Sequence, residues 1–403
     1  VKEHRLLLAI AIGVAIGAAY GLWAGPAAVG VAWLGDAFLN ALKMLVVPLV
    51  FFSMVDAVSG IAATGRLGRI AGLSFGYYLF TTLSAVLIGL VVVNVVQPGA
   101  GLSLVDGAAV PAVESGGIAG IVSSIISPNL FAAAVEFRVL PILVFALAFG
   151  AALAFVGDLA EPAVRVFEGC NAAILKLVDW LMYTAPVGIA ALIAARIGKA
   201  GGGEAFAEEL AAVGAYFGAV VVGLAIHALV VIPLLLRFAS GRSPVRYARN
   251  LGEALMTAFG TSSSSATLAV TMRLSEERNE IRPDTANFVL PLGATVNMDG
   301  TALYEAVAVL FIAQASGVEL GLAQQMIVAV TATLASVGAA GIPQAGLVTM
   351  VIVLNAVGLP LDGIALILAV DWLLDRCRTT VNVWGDASAA AFVDVRMPGK
   401  LHP

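Results

Sequence analysis

Residues 71–96 run for 26 positions without one charged side chain. About 20 apolar residues in a helix span the hydrocarbon core of a bilayer. A chain that repeats such runs must also satisfy its backbone internally, which in lipid leaves helices as the practical solution. Comparable runs lie near 6–24, 44–62, 170–195 and 212–236. The interval 117–156 is apolar but interrupted by Pro128 and Pro141, and reads as one irregular crossing built from short helices. The composition agrees, with 61% hydrophobic and 12% charged residues and a mean hydropathy of +1.01. Soluble domains average roughly 45–50% and about 25%. An all-α polytopic membrane protein is the expected fold class.

The pattern changes beyond residue 250. Segments 251–272 and 322–357 are mildly apolar, rich in Gly, Ser, Thr and Ala, and interrupted in the middle. Segments 286–316 and 360–394 are apolar but carry polar residues in buried-looking positions. Basic residues decide orientation, because Lys and Arg are retained on the cytoplasmic side. They cluster at Lys2 and Arg5, Arg66 and Arg69, Arg237 to Arg249, Arg273 to Arg282, and Arg396 and Lys400, whereas 97–116, 315–325 and 358–370 have none. Eight crossings with both termini inside place every one of those clusters in the cytoplasm, provided that 251–272 and 322–357 are re-entrant hairpins. Arg196 and Lys199 fall outside in this scheme, beside Glu204, Glu208 and Glu209. Opposed hairpins resemble the inverted pair that secondary transporters arrange around a midplane site. The N-terminus lacks a small-residue cleavage site and reads as a true first helix.

Other classes fit poorly. A net charge of −5 argues against nucleic acid as a partner, which needs a basic face. Cys170 and Cys377 are too few for a disulfide framework, and His4, His227 and His402 lie too far apart in sequence for a histidine metal cluster.

Residues 371–386 hold five charges in sixteen positions between apolar flanks. Asp371, Asp375, Arg378, Asn382 and Asp386 step by four, three, four and four, which on a helix makes one stripe bordered by Thr379, with Arg376 off it. Each charge at mid-membrane costs about 2.5–3.5 kcal/mol on insertion scales, so the set must face partners or water. A structural ion-pair ladder is one solution. The other is a ligand site in which the planar fork of Arg378 receives a carboxylate and Asp375 takes an ammonium group.

A second signal is Leu290-Pro291-Leu-Gly293-Ala-Thr295-Val-Asn297-Met298-Asp299-Gly300-Thr301, where proline and glycines predict an unwound stretch. Freed carbonyls with Asn and Asp oxygens suit a small cation such as sodium; a kinked helix with a capping Asp is the plainer alternative. Burial disfavours a charged carboxylate, so Glu305 can carry a proton instead of a metal, or rest neutral within the bundle. Asp371, Asp375, Asp386 and Asp299 against Arg376 and Arg378 leave two negative charges, which calls for bound cations. The third signal, Thr261-Ser262-Ser263-Ser264-Ser265-Ala-Thr267, suits a hairpin tip where hydroxyls and free N–H groups meet an anion. A fourth, 335–346, is dense in Gly with Pro343, and suits a gate; a helix-packing interface is its alternative.

These four motifs, in this order, resemble the dicarboxylate/amino acid:cation symporter family, which includes bacterial glutamate and aspartate transporters and animal excitatory amino-acid transporters. Lys43-Met-Leu-Val-Val-Pro48 and Tyr183-Thr-Ala-Pro186-Val-Gly188 are similar to family sequence as well, so the resemblance covers nearly the whole chain. It implies eight transmembrane helices and two hairpins in a homotrimer, with a static scaffold and an elevator-type transport domain. Scaffold helices would occupy 1–70 and most of 117–250. Transport helices would occupy 71–116, about 210–238 and the core 251–395. Residue by residue, the substrate would meet Ser262, Ser263, Ser264, Thr301, Ile342, Pro343, Gln344, Ala345, Gly346, Asp375, Arg378, Thr379 and Asn382. One sodium would use Gly293, Asn297, Asn382 and Asp386; another Thr295, Met298, Ser336, Val337 and Ala339; a third Tyr78, Thr81 and Thr82 with Asn297 and Asp299.

The resemblance also places the chain near the animal branch. Ser262 stands where archaeal members carry arginine, and the auxiliary charge is Arg376 instead; Glu305 matches the proton-carrying glutamate of animal members. It implies sodium-coupled import of L-aspartate or L-glutamate with proton co-transport, and by the same analogy potassium counter-transport. No organic cofactor and no enzymatic activity are expected. The long glycosylated loop of animal members is absent, which suggests a prokaryotic inner membrane. Ala269, Gln344 and Trp384 depart from common family choices. A proton-coupled C4-dicarboxylate symporter is the nearest alternative. Neutral exchangers lose the arginine at position 378, and an intramembrane aspartyl protease would need G-x-G-D where residues 383–386 read Val-Trp-Gly-Asp.

Overall fold

A computed structural model describes residues 2–62, 68–102, 126–136, 139–199, 204–337 and 345–397. The described residues are helical throughout, with short turns and no strand. In chain order the helices are α1 (Lys2–Ala24), α2 (Ala32–Ala62), α3 (Gly68–Val96), α4 (Leu130–Val135), α5 (Val139–Val156), α6 (Glu161–Met182), α7 (Ala185–Lys199), α8 (Glu204–Ile226), α9 (Ile232–Ala239), α10 (Pro244–Asn250), α11 (Gly252–Thr261), α12 (Ser264–Glu277), α13 (Pro283–Val296), α14 (Asp299–Ala315), α15 (Leu322–Val337), α16 (Ala345–Ala356) and α17 (Ile364–Asp394). Among them five spans are long and apolar enough to cross a membrane: Leu8–Asp56, Arg69–Val96, Pro141–Met182, Glu208–Ala239 and Pro283–Ala315. All but the second comprise two consecutive helices. The chain is a helical, multi-pass membrane protein.

Three sequence expectations shift on the structure. The helix expected from residue 44 begins at Ala32 and accommodates both Asp36 and Pro48. The run 170–195 is two helices, α6 and α7, because Pro186 cannot donate to a carbonyl of the preceding turn. The break at Tyr183–Thr184 is closed by tight turns, and the Thr184 hydroxyl donates to the Leu181 carbonyl at 2.7 Å. Pro291 and Gly293 do not unwind the chain; they sit inside α13, and the break is confined to Asn297 and Met298. Beside them the Tyr78 hydroxyl of α3 donates to the Val289 carbonyl at 2.7 Å.

Packing sorts the helices into two groups. α1 lies along α7, and α2 packs on α5, α6 and α7. The other group centres on α14, buried along its whole length between α3, α8, α15, α16 and α17. α11 pairs with α12, and α15 with α16, so each candidate hairpin is two helices folded back on each other. The groups meet where α17 touches α7 and α1, and where α16 touches α2.

Candidate functional site

The stripe on α17 is buried as its spacing predicts. Asp371, Asp375, Arg378, Thr379, Asn382 and Asp386 are each no more than 6% exposed. Arg378 is the centre. Its Nη2 lies 2.7 Å from Asp375 Oδ1 and 3.1 Å from Asp371 Oδ1, and its guanidinium stacks on the Tyr304 ring at 3.8 Å. Its Nε and Nη1 have no hydrogen-bond partner among the described residues. Nη1 points toward hairpin 2: a Cβ on Gly346 would fall 2.9 Å from it and 3.1 Å from Thr301 Cγ2. A buried cation held on one side by carboxylates and left with spare donors on the other is built to receive an anion.

Hairpin 1 brings its tip to the same helix. α11 ends at Ser262, which takes a left-handed conformation (φ 54°) normally reserved for glycine. Ser263 then caps α12, accepting from Ala266 N at 3.1 Å. Ser262, Ser263 and Ser264 are all buried, and the Ser262 hydroxyl has no partner among the described residues. Arg376, off the stripe as expected, donates to the Phe259 carbonyl at 3.0 Å and so ties α17 to the end of α11. Ile342, Pro343, Gln344 and Ala339 lie outside the described residues; Ala345 and Gly346 open α16.

The break between α13 and α14 meets α17 and α3. Asn297 Nδ2 donates to Asp386 Oδ1 at 3.0 Å, and Gly300 N donates to Asn382 Oδ1 at 2.7 Å. Asn382 Nδ2 also reaches Met298 Sδ at 3.2 Å and Thr301 Oγ1 at 3.3 Å. Gly293 is pressed against Asp386: a Cβ there would stand 2.6 Å from Oδ1 and 3.0 Å from the Tyr78 hydroxyl. The residues assigned to the first sodium are thus neighbours. From α3, Thr81 Oγ1 donates to Asn297 Oδ1 at 3.3 Å and Thr82 Oγ1 to Asp299 Oδ1 at 2.7 Å. The third assigned set is therefore also assembled, with Tyr78 turned to Val289. The second set is looser. The exposed Thr295 hydroxyl bonds Leu292 O, the buried Ser336 hydroxyl bonds Thr333 O, and α15, which carries Ser336 and Val337, packs on α13 and α14.

Glu305 is fully buried on α14; one oxygen accepts from the Thr349 hydroxyl of α16, and the other has no partner among the described residues. Two members escaped the sequence reading. His227 is fully buried in a single π-turn (His227–Val231) between α8 and α9, with Nε2 3.0 Å from Asp299 Oδ2. A π-turn often marks a functional position, but periodicity does not reveal it. Gly385 leaves room for Asn297 Nδ2 and Asp299 Oδ2, each 2.9 Å from where its Cβ would be.

Residues 6–395 match the profile of the Sodium:dicarboxylate symporter family. The chain is 36% identical to the putative sodium-dependent excitatory amino acid transporter glt-4 of Caenorhabditis elegans, over 98% of this chain and 90% of that protein. It is 37% identical to human excitatory amino acid transporter 3, over 90% of this chain and 78% of that protein. It is also 38% identical to the neutral amino acid transporter B(0) of Oryctolagus cuniculus, over 95% and 77%.

Proposed function

The chain belongs to the sodium:dicarboxylate symporter family, and from that premise we propose that it is a sodium-coupled symporter of acidic amino acids. Similarity to acidic and neutral transporters is alike in degree, so identity alone does not choose the substrate. Arg378 carries the choice: fully buried, with two donors unpaired among the described residues and one of them, Nη1, facing Gly346, it needs an anionic partner that a neutral side chain lacks. Asp375 is the partner for the substrate ammonium, which favours an amino acid over a simple dicarboxylate. L-Aspartate and L-glutamate differ by one methylene, worth about 1–3 kcal/mol in a pocket, and both are taken as substrates.

In this reading the substrate lies between Ser262–Ser264, Thr301, Thr379, Asn382 and the tip of hairpin 2 through Ala345 and Gly346. Sodium ions occupy the oxygen clusters around Asn297–Asp386 and Thr82–Asp299, and a third lies beneath hairpin 2 near Met298, Ser336 and Val337. Binding the ions orders Asn297, Met298 and Asp299, which sit directly beneath Thr301, and so couples cation and substrate. Glu305 carries a proton, with potassium returning on the reverse stroke. The α1, α2, α5–α7 group acts as a trimeric scaffold, and α3 with α8–α17 moves as an elevator. Eight crossings, re-entrant hairpins, cytoplasmic termini and a prokaryotic inner membrane complete the proposal.

The decisive experiment is uptake of labelled L-aspartate and L-glutamate into proteoliposomes, under an inward sodium gradient or under a proton gradient without sodium. Sodium-dependent uptake is expected; uptake driven by protons alone moves the dicarboxylate reading ahead. Glu305→Gln removes the pH dependence of net uptake and spares exchange. Unchanged pH dependence removes Glu305 from the proton path.

A further inference from the structure

Where the span Glu208–Ala239 ends, three elements enclose a cavity of about 400 Å³. Its walls include Arg237 at the end of α9, Arg242 in the following turn, Arg246 on α10, and Arg278 and Glu280 in the loop after α12. The frame is rigid. Asn250 Nδ2 donates to Arg278 O at 2.8 Å and to Asn279 Oδ1 at 2.9 Å. The buried Tyr247 donates to Ala387 O of α17 at 2.7 Å. Arg242 donates to Asn279 O and reaches Asp394 at 3.4 Å, while its Nε has no partner among the described residues. Arg237, Arg246 and Arg278 form no ion pair among the described residues; Glu280 is the one acid in the cavity wall, and Asp394 pairs with Arg242 alone among the wall's arginines. The transport chemistry described above uses none of these residues.

We propose that this cavity binds the headgroup of an anionic phospholipid. The charge selects an anion, and bidentate guanidinium donors suit phosphate oxygens. Depth selects the source. The cavity opens where an apolar span gives way to polar chain, the level of lipid headgroups. Phe238 and Val245, each next to one of the arginines, are 81% and 80% exposed and offer apolar surface to acyl chains. Basic pockets at this depth on the cytoplasmic side are known as headgroup sites. The consequence is that the leaflet grips the cytoplasmic end of α17, through Tyr247 and Asp394, on the same helix that holds the substrate arginine.

The test is retention of labelled phosphatidylglycerol and phosphatidylcholine by the purified full chain in mixed micelles, without substrate, so that it stands apart from the transport reading. Phosphatidylglycerol is expected to be held about a hundredfold better. Combined Arg237→Gln, Arg246→Gln and Arg278→Gln abolishes that preference, at about fivefold per arginine, and the corresponding lysine replacements keep most of it. Inorganic phosphate at matched concentration does not displace the lipid. Equal retention of the two lipids by the wild type overturns the proposal. So does a preference that survives the glutamine replacements, and displacement by inorganic phosphate means that the site takes a soluble anion. If the glutamine variant does not fold, the single Arg246→Gln variant, expected to lose about fivefold, decides the question.

Discussion

Glycine does different work in the two halves of this molecule. Along the α1–α7 seam, a Cβ on Gly13 or Gly17 would lie 2.4 or 2.3 Å from the backbone oxygens of Pro186 and Ala190. Small residues there let two backbones touch, which is how helices associate in lipid without a hydrophobic drive between them. In the second half three glycines instead meet a functional group. Gly293 faces the Asp386 carboxylate, Gly385 the Asn297 amide and Asp299, and Gly346 the Arg378 guanidinium. The first set of glycines sets the distance between helices, and the second clears space for polar side chains. Substitutions at these two sets should therefore divide: those at Gly13 and Gly17 cost stability, and those at Gly293, Gly385 and Gly346 cost ligand affinity.

The sharpest separation comes from Arg378→Cys. Losing one partner of a buried charge pair costs about 2–5 kcal/mol, so acidic substrates should weaken by roughly a hundredfold or more while small neutral amino acids become competitors. Inhibition of labelled uptake by L-aspartate and by L-serine reads this directly, and retained acidic affinity would remove Arg378 as the receptor. Next come two alanine scans of equal geometry. Gly17→Ala overpacks the seam at about 1–3 kcal/mol and should lower the thermal midpoint with the sodium dependence of uptake unchanged. Gly293→Ala should raise the half-saturating sodium concentration by about tenfold, consistent with the same range of overpacking cost. Measuring both quantities on both variants is what can break the comparison: a crossed result would mean that the two halves are mechanically one. The smallest effect is expected from His227→Gln. It weakens one hydrogen bond to Asp299, worth about 0.5–1.5 kcal/mol, and should shift sodium affinity about fivefold with little change in substrate affinity at saturating sodium. No shift would make His227 a packing residue.

The last helix was the most legible part of the sequence, because charges at four-residue steps inside an apolar run have one economical explanation. Its stripe is buried residue for residue. The hairpin tip at Ser262–Ser264 was legible for the related reason that a serine run between apolar flanks needs a local purpose. What escaped depends on neighbours far along the chain. His227 acquires meaning only from Asp299, 72 residues away, and Gly385 only from Asn297 and Asp299. The unwinding forecast at Pro291 and Gly293 failed because local propensity was overruled by tertiary support. Tyr78 supplies a hydroxyl to that turn, and Asp386 fits against the glycine. Helix ends in the first half, such as the start of α2, were blurred because lipid-facing sequence has little periodic contrast.

Ser262 holds a left-handed backbone, and a hydroxyl without a partner among the described residues, at the tip of hairpin 1. Glycine at that position would relieve the backbone and delete the stranded oxygen, so heat and survival on the substrate would select in opposite directions. A thermostability screen should recover glycine at 262, and a growth screen for uptake should discard it. A homologue or designed variant that carries glycine there would then be expected to have traded capture of its cargo for persistence of its fold.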